Sequence, residues 1–316
     1  MAIRNKAVVA DLAILFAALL WGADYIVAKR ALEVIPPGYM NGIRFSICAL
    51  ILFVFVGRKL LKTSPRDIIS GILAGVMMFG GFTGQTLGLM HSSVGNNAFI
   101  TSAYVILVPF IAWALTRTRP GFNNFIAVFL TTVGVAMLTL QQQVSVSTGD
   151  LYTLSGAVFF AFEIALLGVF AKRMDPFVLA FFEAAVTGIL SFAYAVAVEP
   201  VPAVPDGTLL LQLAYITFLG SAVTHITVTV ALKYTSSSRG AVLCATESVY
   251  AVILAALFLG ELLNLRSMTG SILIFSAVLV TELGERWFSP TVSGEPSAPA
   301  PSTVPIETVP QESKTT

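Results

Sequence analysis

Apolar residues fill this chain in blocks of about twenty, each closed by a short polar or proline-bearing interruption. At 1.5 Å of rise per residue, a helix needs about 20 mostly apolar residues to cross a bilayer. Ten blocks meet that length, at roughly 8–29, 37–56, 68–89, 95–116, 122–140, 151–171, 177–198, 209–231, 239–259 and 267–287. The interruptions carry turn chemistry: Pro36-Pro37-Gly38, Pro65, Pro120-Gly121, Gly149-Asp150, Asp175-Pro176 and the run from Pro200 to Gly207. Connections this short join neighbouring helices as hairpins. The pattern predicts an all-α integral membrane protein of ten transmembrane helices. In the third block Gly80, Gly84 and Gly88 fall four apart and form a small-residue stripe for close helix packing. Pro109 lies inside the fourth and is expected to kink it.

The blocks repeat. A shift of 139 residues lays Asp24 on Glu163, Pro37 on Pro176 and Arg44 on Glu183. A shift of 143 lays Met90-His91-Ser92-Ser93 on Lys233-Tyr234-Thr235-Ser236, so a four-residue insertion separates the two registers. Lysine and arginine then set orientation by the positive-inside rule. With a cytoplasmic N-terminus, fourteen of these cations fall inside and three outside, namely Lys29, Arg30 and Arg266, while Arg44 lies within a span. Both termini are therefore expected in the cytoplasm. Five helices per half is odd, so the second half enters the membrane from the opposite side, as in many secondary transporters. The expected units are an inverted pair of five-helix repeats, residues 1–145 and 146–288, linked by the hinge-like run Gln141 to Gln143. Residues 289–316 hold six of the fifteen prolines and few apolar groups, which predicts a disordered cytoplasmic tail.

Composition agrees with a membrane protein. The chain is 56% hydrophobic and 11% charged, against about 25% charged in soluble domains, and its mean hydropathy is +0.86. A net charge of +1 gives no broad basic surface for nucleic acid. Arg4 and Lys6 before the first apolar block resemble the start of a signal peptide, but no small-residue cleavage site follows, so the block reads as an uncleaved first helix. Cys48 and Cys244 stand singly in apolar runs and read as packed thiols. No phosphate-binding G-x-x-x-x-G-K-[ST] loop, no two-histidine zinc helix and no G-x-S-x-G nucleophile motif occurs. No catalytic set, metal site or cofactor is expected.

Charges in hydrocarbon are costly, by about 2.5–3.5 kcal/mol on insertion scales, so each needs a reason. Trp21, Asp24 and Ala28 share one helix face, with Tyr25 beside them. Asp24 suits an ammonium or a proton, or else pairs with Lys29 or Arg44. Glu163 falls about twelve residues into the sixth span and Glu247 about eight into the ninth, both deep enough to bind and release a coupling proton or to be structurally paired. Arg44 suits a substrate carboxylate or an embedded acid. Glu183 lies toward the cytoplasmic end of its span, within snorkelling reach of the head groups, and is left out of the site. His225 titrates near physiological pH when unperturbed, or serves as a packed donor. Gln85, Tyr104 and Thr246 add polar groups able to line a cavity.

Leu19-Leu20-Trp21-Gly22, with Ala28-Lys29, Pro36-Pro37 and Arg44-Phe45 after it, resembles the opening of EamA-type members of the drug/metabolite transporter superfamily. Ala231-Leu232-Lys233-Tyr234-Thr235-Ser236, Glu247-Ser248-Val249-Tyr250, Leu259-Gly260-Glu261 and Gly270 resemble the end of the second repeat of that family. The resemblance spans about residues 8–287. It implies ten helices in two inverted repeats around a central cavity, and export or exchange of metabolites, amino acids or drugs across the plasma membrane. Many members carry proline before the position of Val249, whereas this chain has Ser248, so a kink in helix nine is expected to be weak or absent. The function expected is a secondary transporter of small amphipathic molecules in the bilayer, an exporter with protons as the candidate coupling ion. The alternatives are an embedded enzyme acting on lipid head groups and a channel or receptor. Substrate and oligomeric state are not legible.

Overall fold

The computed structural model describes residues 2–139, 147–259 and 265–288, and every regular element among them is a helix. The first half holds α1 (Ala2–Ala31), α2 (Pro37–Leu60), α3 (Pro65–His91), a broken span made of α4 (Val94–Thr101) and α5 (Tyr104–Thr116), and α6 (Phe122–Thr139). The second half holds α7 (Thr148–Phe170), α8 (Pro176–Val198), a compound span, a second broken span and α13 (Leu265–Phe288). The compound span runs from α9 (Gly207–Thr217) through a π-helix (Phe218–Val223) into α10 (Thr224–Ala231), and the broken one joins α11 (Ser237–Cys244) to α12 (Glu247–Leu259). Among the described residues, eight helical spans are long and apolar enough to cross a membrane. The fifth and tenth expected spans correspond to shorter apolar stretches, Phe122–Met137 and Met268–Val280. The expected hinge at Gln141 to Gln143 and the tail at 289–316 lie outside the described residues.

Local chemistry fixes the turns. Pro37, Pro65 and Pro176 each open a helix, where the missing N–H costs nothing. Ser64, Asp175 and Asp206 accept backbone N–H bonds as N-caps, and Ser147 with Asp150 forms a capping box at the start of α7. The α2 N-terminus is capped from the other half: Gly38 N donates to both Glu199 carboxylate oxygens, at 2.9 and 3.0 Å. The loop before α3 is four residues, 61–64, and the matching loop before α9 is eight, 199–206, which places the repeat insertion there.

The halves interleave. α2 packs on α8, α6 on α13, α1 on α12 and α10, and α3 between α7 and α8. Glycines allow the tightest of these approaches: at Gly84 a methyl would lie 2.7 Å from the Gly156 backbone nitrogen, and at Gly71 it would meet Phe182. One apolar cluster draws Ile14, Phe45, Met78 and Val108 from the first half and Leu167, Leu179 and Leu243 from the second. Outward-facing Leu50, Val54, Phe55, Phe129, Leu211 and Leu257 are exposed, which suits lipid rather than water.

One expectation about kinks is corrected, and one break falls where none was expected. The fourth span breaks at Ser102–Ala103, upstream of Pro109, which sits inside α5. The ninth span also breaks, at Ala245–Thr246, although it lacks the proline. There the Thr246 and Ser248 hydroxyls each donate at 2.7 Å to the carbonyl three residues back, on Leu243 and Ala245. The backbone tightens to the same three-residue spacing, Thr246 N to Leu243 O at 3.3 Å and Ser248 N to Ala245 O at 3.2 Å. Hydroxyls competing for helix carbonyls thus stand where proline was expected to act. Shifted by 143, the first break falls on the second.

Candidate functional site

The breaks open onto a cavity enclosing about 680 Å³ of atom-free space, including its mouth. Trp21, Asp24 and Tyr25 reach it from α1, Arg44 from α2, Gln85 from α3 and Tyr104 from α5. Glu163 reaches it from α7, His225 from α10 and Glu247 from α12. Nine of the ten residues singled out in the sequence therefore meet at one place. The exception is Thr246, which is fully buried with its hydroxyl bonded to Leu243 O and is absent from the lining.

The lining follows the repeat. Offsets of 139 and 143 match Trp21 with Phe160, Asp24 with Glu163, Tyr25 with Ile164, Phe82 with His225, Gln85 with Val228, Thr101 with Cys244 and Tyr104 with Glu247, and all of these border the cavity. The matched positions differ chemically. Tyr25 and Gln85 are matched by the apolar Ile164 and Val228, Thr101 by Cys244, and Tyr104 by the carboxylate of Glu247. Glu247 opens α12, whose first N–H groups bond back to the Ala245 and Thr246 carbonyls across the break. The hydroxyls of Tyr104 and Tyr25 turn toward it, and Gln85 Nε2 donates to Tyr25 at 2.8 Å.

Asp24 and Arg44 form a buried ion pair at 3.1 Å, which selects Arg44 over Lys29 as the partner. Lys29 instead donates to the Leu89 and Ser92 carbonyls at 2.6 and 3.0 Å, capping the C-terminal end of α3. Arg44 is 1% exposed. Its Nε donates to Ser221 Oγ at 2.7 Å, its Nη2 to Gly220 O at 3.2 Å, and the guanidinium lies over the Phe82 and Phe45 rings. The π-helix supplies these partners, as wide turns at functional sites often do. Gly220 O also accepts from Trp21 Nε1 at 3.1 Å. A side chain at Gly220 would run into Asp24 Oδ1. The His225 ring packs among Trp21, Phe45 and Phe82 with centroids 5.3–5.5 Å away, and its Nε2 has no hydrogen-bond partner.

Three features escaped the sequence reading. Glu183 is not at an interface: it is 1% exposed, against Glu163. The π-helix has no composition signal. Asp11 pairs with Arg239 at 2.6 Å, both buried, near the start of α1. The residues matching that pair by repeat offset are Asp150 and Asn96, which hydrogen-bond at 2.6 Å at the other end of the bundle. The repeat offset that pairs Arg44 with Glu183, extended to Asp11, is the signal that finds the second pair.

A model of the EamA-like transporter family matches residues 8–140 and again 147–283. An "Uncharacterized transporter" of Archaeoglobus fulgidus is 31% identical over 278 residues, covering 88% of this chain and 87% of that protein. An "Uncharacterized transporter YrdR" of Bacillus subtilis is 25% identical over 164 residues, about half of each chain. A solved structure described as "Crystal structure of protein" superposes with a TM-score of 0.74 at 19% identity, over 89% of this chain and 99% of that one, a likeness of fold.

Proposed function

The chain belongs to the EamA-like transporter family, and we propose that it is a secondary transporter that exports small amphipathic molecules bearing a cationic or neutral polar head by alternating access. The observation that carries this reading is the position of Glu247. It combines the first turn of a half-helix, burial, a cavity at the join of the two repeats and two tyrosine hydroxyls. Arg44 is satisfied by Asp24, Gly220 and Ser221, so it is not a free anion receptor. The charge left to meet a ligand is acidic, at Glu247 and Glu163. A ligand ammonium or hydroxyl fits against Glu247, Tyr25 and Tyr104, and an apolar body against Phe160, Ile164 and Val228.

The finer architecture belongs to the same proposal. It has ten spans, with the two shorter helices crossing, in inverted repeats at 1–145 and 146–288. The protein sits in the plasma membrane with both termini and the 289–316 tail on the cytoplasmic side. Purified protein in liposomes tests the function. A thermal-shift screen of amino acids, nucleosides, sugars and cationic amphiphiles selects a ligand, and saturable counterflow of that ligand is the expected result. Flux that does not saturate points to a channel. Turnover of lipid head groups in the same vesicles points to an embedded enzyme.

A further inference from the structure

We infer that Glu163 and Glu183 hold one exchangeable proton between them, at a site distinct from the ligand-facing Glu247. The two carboxyl groups, on α7 and α8, lie within hydrogen-bonding reach of each other. Two carboxylates both accept and neither donates, so such a contact closes only with a proton on one of them. Both are buried, Glu163 to 5% and Glu183 to 1% exposure. Two bare negative charges at that separation in an apolar interior repel strongly, and one proton removes the conflict.

The repeat supplies an independent comparison. The matching residues of the first half are Asp24 and Arg44, also in contact, and there the acid's partner is a guanidinium. The second half keeps the geometry and replaces the cation with an acid, which leaves a seat for a positive charge. The surroundings of that seat are polar and unsatisfied. Neither Glu183 oxygen has a hydrogen bond of regular geometry. The Thr229 hydroxyl, fully buried on α10, faces Glu183 and has no regular partner.

The groups facing the pair supply no resident cation among the described residues. From α2 comes the Cys48 thiol, while Arg44 of the same helix is engaged by Asp24. From α5 and α11 come the Tyr104 hydroxyl and the Cys244 thiol. From α10 come Thr229 and, further along, His225, whose ring sits in the Trp21, Phe45 and Phe82 cluster. α3 has no titratable side chain between Asp67 and His91, and α4 has none. Glu163 borders the cavity and Glu183 does not, so the proton exchanges through Glu163. A cationic ligand in the same cavity disfavours that proton and the proton disfavours the ligand, which links the two. Only this use of the proton rests on the transporter reading.

Infrared titration of the full-length protein in liposomes tests the site without any transported compound. The expected wild-type signal is a protonated-carboxyl band at neutral pH that disappears as the medium becomes alkaline. Glu163→Gln and Glu183→Gln should each move its midpoint down by about one pH unit or more, because the survivor no longer faces a second negative charge. Glu247→Gln should keep the paired signal, and adding both pair substitutions to it should remove the band. Glu183→Arg, which copies the Asp24–Arg44 arrangement, should abolish the band at neutral pH with the protein still folded. A midpoint unchanged in both single glutamine variants, or a band unchanged in the double glutamine variant of the pair, overturns the proposal. So does a seat filled by sodium, seen as a sodium-dependent melting temperature at fixed pH that both glutamine variants lose. Vesicles that carry no compound at all would defeat the transporter reading and leave the titration result standing.

Discussion

At the residue scale, Glu247 and Gly220 make opposite predictions. Glu247→Gln keeps shape and a polar group facing the Tyr25 and Tyr104 hydroxyls while removing the charge, so the fold should hold. Affinity for a cationic amphiphile should fall about tenfold or more, the order expected from losing a charge-assisted hydrogen bond. A normal affinity, read by calorimetry beside the melting temperature, removes Glu247 from the binding site. Gly220→Ala drives a methyl into Asp24 Oδ1. We expect a loss of about 1–3 kcal/mol, the usual cost of overpacking, seen as a lower melting temperature in detergent. An unchanged melting temperature would show that the ion pair can shift aside. The embedded charges were legible because each is an exception in an apolar run. Glu183 was misjudged because distance from the helix end was read as depth. Arg44 stands at the same eighth position of α2 that Glu183 holds in α8, and both are buried by packing from neighbouring helices.

At the element scale, turn residues announced the helix starts, whereas the breaks inside spans were mislocated. Pro109 has a known cost and drew attention to itself; Thr246 and Ser248 break their helix through hydroxyl bonds that depend on which carbonyl each reaches. The π-helix depends on an extra residue accommodated by tertiary contacts, and no local pattern encodes that. Asp175 offers a measurement at a helix end. Partial burial works to raise its pKa, but the Lys59 ammonium at 2.6 Å and the Phe177 N–H outweigh it and hold the carboxyl below its ordinary value. A depressed folded value stabilises above the unfolded pKa, about 3.9, and the gain is lost as pH falls through the folded one. Asp175→Asn keeps the cap but loses the charge. The wild type should therefore melt higher than the variant near pH 7, and the gap should close below about pH 3. A gap that persists in acid would assign the effect to packing.

At the scale of the whole molecule, hydropathy and turn chemistry were enough to show an all-helical membrane protein, while charge counting supplies an orientation as a proposal. The sequence could not show how closely the halves interleave, because that depends on side chains meeting across more than a hundred residues. Cysteine labelling checks the proposed orientation, with both native thiols buried and out of reach. An impermeant reagent should modify cysteines introduced at Val146 and Pro202 from outside intact cells and spare one at Thr118. Modification at Thr118 would overturn it. The clasps at the two ends of the bundle reach further. Asp11 is held by a full cation, Arg239, at one end, and its counterpart Asp150 by the neutral amide of Asn96 at the other. A chain whose halves matched residue for residue would dwell equally long facing either compartment, since exchanging the halves would turn one posture into the other. Under the alternating access proposed above, unequal clasps would give unequal dwell times, with the side closed by the ion pair expected to stay shut at rest. Exchanging them, with Asn96→Arg and Arg239→Asn together, should transfer labelling of cavity cysteines from one face of the membrane to the other. If the same face is labelled before and after, the bias is stored elsewhere in the bundle.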